Sequence, residues 1–190
     1  MSKISNTLIL EKAAEIFAHG GLGEFRIRLL ADKLGVVPSV IYHYFGTEEI
    51  LLRAMFDYLN HELGRRRATL PKSKTAQAML KQRIAFQIDN KEAIVAVLKY
   101  YLAFRHTFPK FRNGFVPDKS ALHIEEVLRF GIDSGEFRVS DLENDAKVIT
   151  HAINGFLLEY FPYTPEGKEK TALIARIHSF LMRALSKGGE

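Results

Sequence analysis

Residues 27–45 read IRLLADKLGVVPSVIYHYF, and the pattern within them decides the fold. Ile27, Leu30, Ala31 and Leu34 recur at i, i+3, i+4 and i+7, which is one face of a helix. Gly35 follows where a left-handed residue closes a helix without a Cβ penalty. Pro38 stands where its missing N–H is harmless, in the first turn of the next helix. Ala31 is small enough to let two helices cross closely, and Ile41 is the apolar plug from the second. That second helix is too short to hold itself. Ile41, Tyr44 and Phe45 are therefore expected to anchor it in a core, while Ser39, Val40, Tyr42 and His43 point outward. The spacing predicts a helix-turn-helix of the DNA-reading kind, although an ordinary αα-hairpin can show Ala, Gly and Ile at the same intervals.

The flanking residues separate those two readings. From Ile9 to Leu52 the chain reads ILEKAAEIFAHGGLGEFRIRLLADKLGVVPSVIYHYFGTEEILL. A first helix ending at Phe and Gly (AAEIFAHGG), the LADKLGV turn, the IYHYF helix and the EEILL start of a fourth helix together resemble the N-terminal DNA-binding domain of the TetR family of transcriptional regulators. The resemblance spans about a quarter of the chain. It implies an all-α fold of about nine helices, with a three-helix DNA-binding domain at 1–47 and a helical effector-binding and dimerisation domain at 48–190.

Composition sets the outer limits. The 190 residues are 47% apolar, enough for one or two small domains with a real core. No apolar run approaches the ~18 residues that suggest a membrane span, and MSKISNTLILEK lacks the pattern of a secretion signal. With no cysteine, thiolate chemistry is excluded and a reducing cytoplasm is the expected location. Net charge is +5, yet residues 1–67 hold nine Lys/Arg against eight Asp/Glu, a balance of +1. DNA affinity must then come from a few placed cations, helix N-termini and the avidity of a dimer.

Along the chain, a first helix is expected from Ser5 to His19, with Ile9, Ala13, Ile16 and Phe17 inward and Gly20-Gly21 as its stop. A fourth runs from Thr47, a candidate N-cap, to Leu63. The basic stretch GRRRATLPKSK, 64–74, reads as a linker rather than a phosphate clamp. Thr75 to Gln87 is amphipathic, and Lys91 to Thr107 is apolar around most of its circumference. FPKFRNGFVPD, 108–118, is a loop or broken helix. Helices follow over Lys119–Asp133, from a Ser140/Glu143 capping box to Tyr160, and from Thr164-Pro165 to Ser186. Ile149, Ile153, Phe156, Leu157 and Tyr160 form one stripe on the last pair; Leu173, Ile177, Phe180, Leu181 and Ala184 form another. Two such helices are suited to pair across a two-fold axis as a four-helix bundle, and the resemblance implies that homodimer.

Roles on DNA follow residue by residue. Arg28, on the exposed side of the second helix, is placed to fork onto a guanine. Val40 stands where relatives carry threonine and faces a thymine methyl. Tyr42 is assigned to a phosphate, His43 to a phosphate or base edge, and Ser39 to close approach or a polar contact. Arg26 replaces the family's usual Ser/Thr cap and is a further phosphate candidate. Val37 and Glu48 also depart from the family pattern: the first removes a capping side chain, the second puts a carboxylate where a lysine usually grips phosphate. A moderate affinity with a shallow salt dependence is expected.

The second domain is expected to hold a small, largely apolar effector. Polar groups set among apolar ones are the sharpest contact candidates: Gln87, Arg105, His123 and Asn154, with Tyr101 beside them. Arg105 hints at an anionic effector. No H-E-x-x-H, G-x-S-x-G, phosphate loop or dinucleotide fingerprint occurs, and no two of the seven histidines stand at i, i+4. No enzyme, cofactor, metal or membrane role is expected. The reading is a regulator, a repressor by preference, that binds a palindromic double-stranded operator as a dimer and is released by its effector. The alternative is a helical ligand-binding and dimerisation protein that no longer binds DNA specifically.

Overall fold

The computed structural model describes residues 4–107, 120–163 and 165–186, which form nine helices and no strand. They are α1 (Asn6–Glu24), α2 (Ile27–Leu34), α3 (Pro38–Phe45), α4 (Glu48–Ala68), α5 (Ala76–Asp89), α6 (Lys91–Phe104), α7 (Ser120–Asp133), α8 (Leu142–Tyr160) and α9 (Gly167–Leu185). The loop expected at 108–118, with Lys119 and Thr164 as helix starts, lies outside the described residues. The chain divides into two compact units. One holds the described residues of Met1–Ala68 and Glu92–Asp118, the other those of Thr69–Lys91 and Lys119–Glu190.

In the first unit α1 packs on α2 and α4, α2 on α3, and α3 on α4. Ile9, Ala13, Phe17, Phe25, Leu30, Ala31 and Ile41 have no exposed surface, so the small core sits between α1, α2 and α3. Helix α1 begins as the sequence implies, with the Ser5 hydroxyl accepting from the Leu8 N–H. It does not stop at the glycines. Gly21 adopts φ 60 and ψ −159, and the chain resumes helical geometry to Glu24. Such a kink disturbs the i→i+4 ladder, and Lys99 of α6 donates to the carbonyls of Ala18 and His19 at 2.5 and 2.6 Å. Tyr100, next in α6, is buried with its ring stacked on Phe56 at 4.6 Å between centroids.

Helix α4 also exceeds its expected end. Gly64 to Ala68 continue it, so the first part of the basic stretch is helix rather than linker. Arg65 and Arg66 pair back to Glu62 across one turn, and Arg67 is buried.

The second unit is built on α5, which packs against α7, α8 and α9, while α7 packs on α8. Its core includes Leu80, Ile84, Val127, Leu128, Ile153, Leu157, Ile177 and Leu181. Most of the two apolar stripes, with Ile149 and Leu173, is therefore buried within the chain. Phe180, Val148 and Leu158 remain at the surface, 53%, 65% and 41% exposed. The α8 cap is Asp141, not Ser140: its carboxylate accepts from the Asn144 N–H. Helix α9 starts at Gly167 after Glu166, with no side-chain cap. Among the described residues no helix is long and apolar enough to cross a membrane.

Candidate nucleic-acid interface

The turn between α2 and α3 is set by Gly35. At φ 67 and ψ 34 it lies in the left-handed region. Its N–H donates to the Asp32 carbonyl at 3.1 Å, and the next N–H, of Val36, reaches back to Ala31 at 3.0 Å. This pair of bonds is the Schellman closure, and it satisfies two carbonyls at the end of α2. Pro38 then occupies the first turn of α3, and Val37 before it gives no side-chain cap.

Helix α3 is held from two sides. Ile41 is wholly buried, and the Tyr44 hydroxyl donates to the Ile4 carbonyl at 3.0 Å. Tyr44 was expected in the core, yet 39% of it is exposed; the ring lies along the surface because its hydroxyl has a partner there. Phe45 is half-buried. The opposite face carries Ser39, Tyr42 and His43, all exposed and spaced i, i+3 and i+4, so they form one patch. The His43 ring meets Tyr44 edge-on at 6.0 Å, which restrains it. Val40 is half-buried at the margin of that patch.

Arg28 on α2 is exposed, as expected. Arg26 is exposed as well, but its guanidinium folds back and donates to the Phe25 carbonyl at 2.6 Å. At the start of α4 the Thr47 hydroxyl accepts from Ile50 N–H at 3.1 Å, so the expected cap is present, with Glu48 and Glu49 in the first turn. Lys33 and Lys12 both pair with Glu15, which holds that carboxyl below its ordinary pKa, chiefly through the Lys12 hydrogen bond.

The effector candidates are divided. Tyr101, half-buried, and Arg105 belong to the first compact unit; Gln87, His123 and Asn154 belong to the second. Arg105 is exposed and its Nε donates to His106 at 3.0 Å, which weakens it as an anion contact. His123 is half-buried with Nδ1 3.1 Å from Glu126. Gln87 and Asn154 are buried on α5 and α8, and Asn154 Oδ1 has no hydrogen-bond partner among the described residues. Between α5, α8 and α9, a slit lined by Ile88, Ile153, Leu157, Leu173 and Ile177 has a free volume of about 10 Å³, room for one water at most.

Residues 9–55 match the family described as bacterial regulatory proteins, tetR family. The chain is 26% identical over 144 residues to the HTH-type transcriptional repressor KstR2 of Rhodococcus jostii (strain RHA1), covering 72% of this chain and 69% of that protein. The family match covers the N-terminal helices, about a quarter of this chain. Among solved structures, the ketosteroid transcriptional regulator KstR2 of Mycobacterium tuberculosis is similar with a TM-score of 0.73 at 19% identity, over 98% of this chain and 97% of that one. FadR of Bacillus subtilis, solved in complex with stearoyl-CoA, gives 0.69 at 19% identity, over 94% and 98%. Identities this low speak for the shared fold alone.

The second unit holds two side chains, Lys91 and Arg83, that sequence reasoning passed over. Lys91 is buried and donates to the carbonyls of Pro162 and Tyr163, 5.7 Å from the centre of the Phe161 ring. Arg83 lies on α5 with its side chain largely buried. The available signal was position: each stands one helical turn or less from buried apolar residues on α5. Among the described residues no cluster of three His, Cys, Asp or Glu is placed to hold a metal ion.

Proposed function

We propose that this chain is a ligand-responsive transcriptional repressor of the TetR kind that binds a palindromic double-stranded operator as a homodimer and leaves it when a small effector binds. The observation that carries the reading is the exposed patch of Ser39, Tyr42 and His43 on a helix pinned by Ile41 and by Tyr44. A helix fixed at its back with polar and aromatic groups in front is what major-groove docking requires. Arg28 forks onto a guanine, Tyr42 and His43 meet phosphate or base edge, Val40 touches a methyl, and Ser39 permits close approach. Arg26 reaches phosphate once it exchanges its bond to Phe25.

DNA reading is assigned to 1–47, and effector binding and dimerisation to 48–190. Packing draws α4 and α6 to the first three helices, so the domain that reads DNA is braced by helices the second domain supplies. Gln87, His123 and Asn154, all in the second compact unit, are the proposed effector contacts; Tyr101 and Arg105 fall in the first unit and are not carried with them. The dimer forms through α8 and α9, whose exposed Val148, Leu158 and Phe180 supply apolar contact. The relatives named for a ketosteroid and solved with stearoyl-CoA favour a largely apolar effector. The protein acts in the cytoplasm and is not an enzyme.

Selection of DNA from a random pool by the full chain tests the reading. The expected product is an inverted repeat with half-sites about one helical turn (~34–36 Å) or somewhat more apart. A pool without enrichment would favour a ligand-binding dimer that has lost its operator, a reading that Glu48 and the near-neutral first domain support.

A further inference from the structure

Arg83 of α5 is short of partners among the described residues. Its side chain is 15% exposed, and both Nε and Nη1 are buried without a hydrogen-bond partner among the described residues. The carboxylate beside it, Glu126 of α7, lies 4.0 Å from Nη2, beyond hydrogen-bond length. That same Glu126 oxygen is 3.1 Å from His123 Nδ1, and the glutamate is 61% exposed, so it is drawn toward solvent and histidine. Burial lowers the Arg83 pKa against the pull of Glu126. Neighbouring positions on α5 are wholly buried Leu80 and Ile84, with Gln87 one turn on. A guanidinium held among apolar groups with two idle N–H donors is costly in the free protein, and a charge-assisted bond to an anion offsets that cost.

We infer that the effector is an organic acid, an apolar body carrying a carboxylate that binds Arg83. The inference rests on the ligand-responsive reading above. A single guanidinium with a glutamate close by matches one negative charge better than the two of a phosphate monoester. On binding, the acid takes the place beside Arg83 that Glu126 holds loosely, and Glu126 remains with His123. Arg105, the arginine that sequence alone suggested for an anion, is exposed and bonded to His106.

The test is calorimetric titration of the full-length protein, without DNA, with decanoate, 4-phenylbutyrate and cholate, and with the primary amide of each. At least one acid is expected to bind about tenfold or more tightly than its amide, the margin of a charge-assisted bond in a shielded site. Arg83→Met and Arg83→Gln should abolish that preference, and a helical circular dichroism spectrum like the parent's shows that the variants fold. Glu126→Gln should tighten acid binding severalfold by removing the competing carboxylate. Arg83→Met should also raise the melting temperature of the ligand-free protein, by roughly 2–4 °C, because it removes a poorly paired buried cation.

Two results would overturn the inference. One is a panel in which no acid binds better than its amide. The other is an Arg83→Met protein that melts lower and keeps its acid preference, which would make Arg83 a structural partner of Glu126. No DNA is present in the titration, so failure to find an operator and failure of acid binding are read separately.

Discussion

Gly35 carries more of the proposed DNA-reading geometry than any single side chain assigned to DNA. Its left-handed backbone fixes where α3 leaves α2, and a Cβ there meets no neighbouring atom. Gly35→Ala is therefore a test of backbone strain alone. It should cost about 1–2 kcal/mol in urea unfolding and weaken DNA binding by displacing α3. Glu48 bears on a different quantity. It stands in the first turn of α4, and Glu48→Lys should tighten DNA binding and steepen the dependence of log K on log salt by roughly one per protomer; an unchanged slope would place this helix start away from phosphate. Gly35, Pro38 and Ile41 were legible in the sequence because each obeys a local rule of backbone or periodicity. Tyr44 was not, because its hydroxyl partner is the carbonyl of Ile4, forty residues away. The same limit hid Arg83: an arginine on an amphipathic helix reads as surface until α7 is packed beside it.

Whole helices were read well in number and order, and less well at their ends. Distant partners set several of those ends. Lys99 occupies carbonyls beside the Gly21 kink, so α1 continues where two glycines suggested a stop. Ion pairs from Glu62 to Arg65 and Arg66 carry α4 through residues that read as linker, and hold the glutamate below its ordinary pKa. At α5 the Thr75 hydroxyl accepts from Ala78, and Glu136, sixty residues on, accepts from the N–H groups of Ala76 and Gln77 at 2.9 and 3.2 Å. A carboxylate at a helix N-terminus is favoured by the unpaired donors and by the dipole. These bonds hold Glu136 below its usual value of 4.5, the Ala76 N–H contributing most.

A depressed folded pKa gives stabilisation that is complete above the unfolded value and disappears as pH falls through the folded one. Melting temperature should therefore drop on acidification below about pH 5, and less steeply in Glu136→Gln than in the parent. Parallel curves for the two proteins would remove Glu136 from the account.

At the scale of the whole molecule, the proposed dimer would offset the weak charge of the first helices, since two copies bind one DNA with avidity. The stripes that sequence assigned to the dimer are in large part the core of one chain, because α5 covers them. A helix pattern shows which residues want burial without showing against what. What α8 and α9 leave at the surface is Val148, Leu158 and Phe180, with the Arg183 guanidinium 5.8 Å from the centre of the Phe180 ring. Phe180→Glu combined with Val148→Glu should convert the protein to a monomer in sedimentation while leaving its helical circular dichroism intact. DNA affinity should fall by a factor of about one hundred or more, since the second contact is then no longer intramolecular. A variant that remains dimeric would move the interface elsewhere.

The most direct test of the central claim, that the exposed face of α3 reads DNA with Arg28 of α2, is fluorescence anisotropy on the DNA upstream of the protein's own gene. Scrambled DNA serves as control, with Tyr42→Ala and Arg28→Ala alongside the parent. The account predicts tight binding to the upstream DNA and weak binding to the scramble. It predicts losses of about 1–3 kcal/mol for Arg28→Ala, with relaxed preference at one base pair, and a sequence-independent loss for Tyr42→Ala. Tight, selective binding that neither substitution disturbs would contradict it.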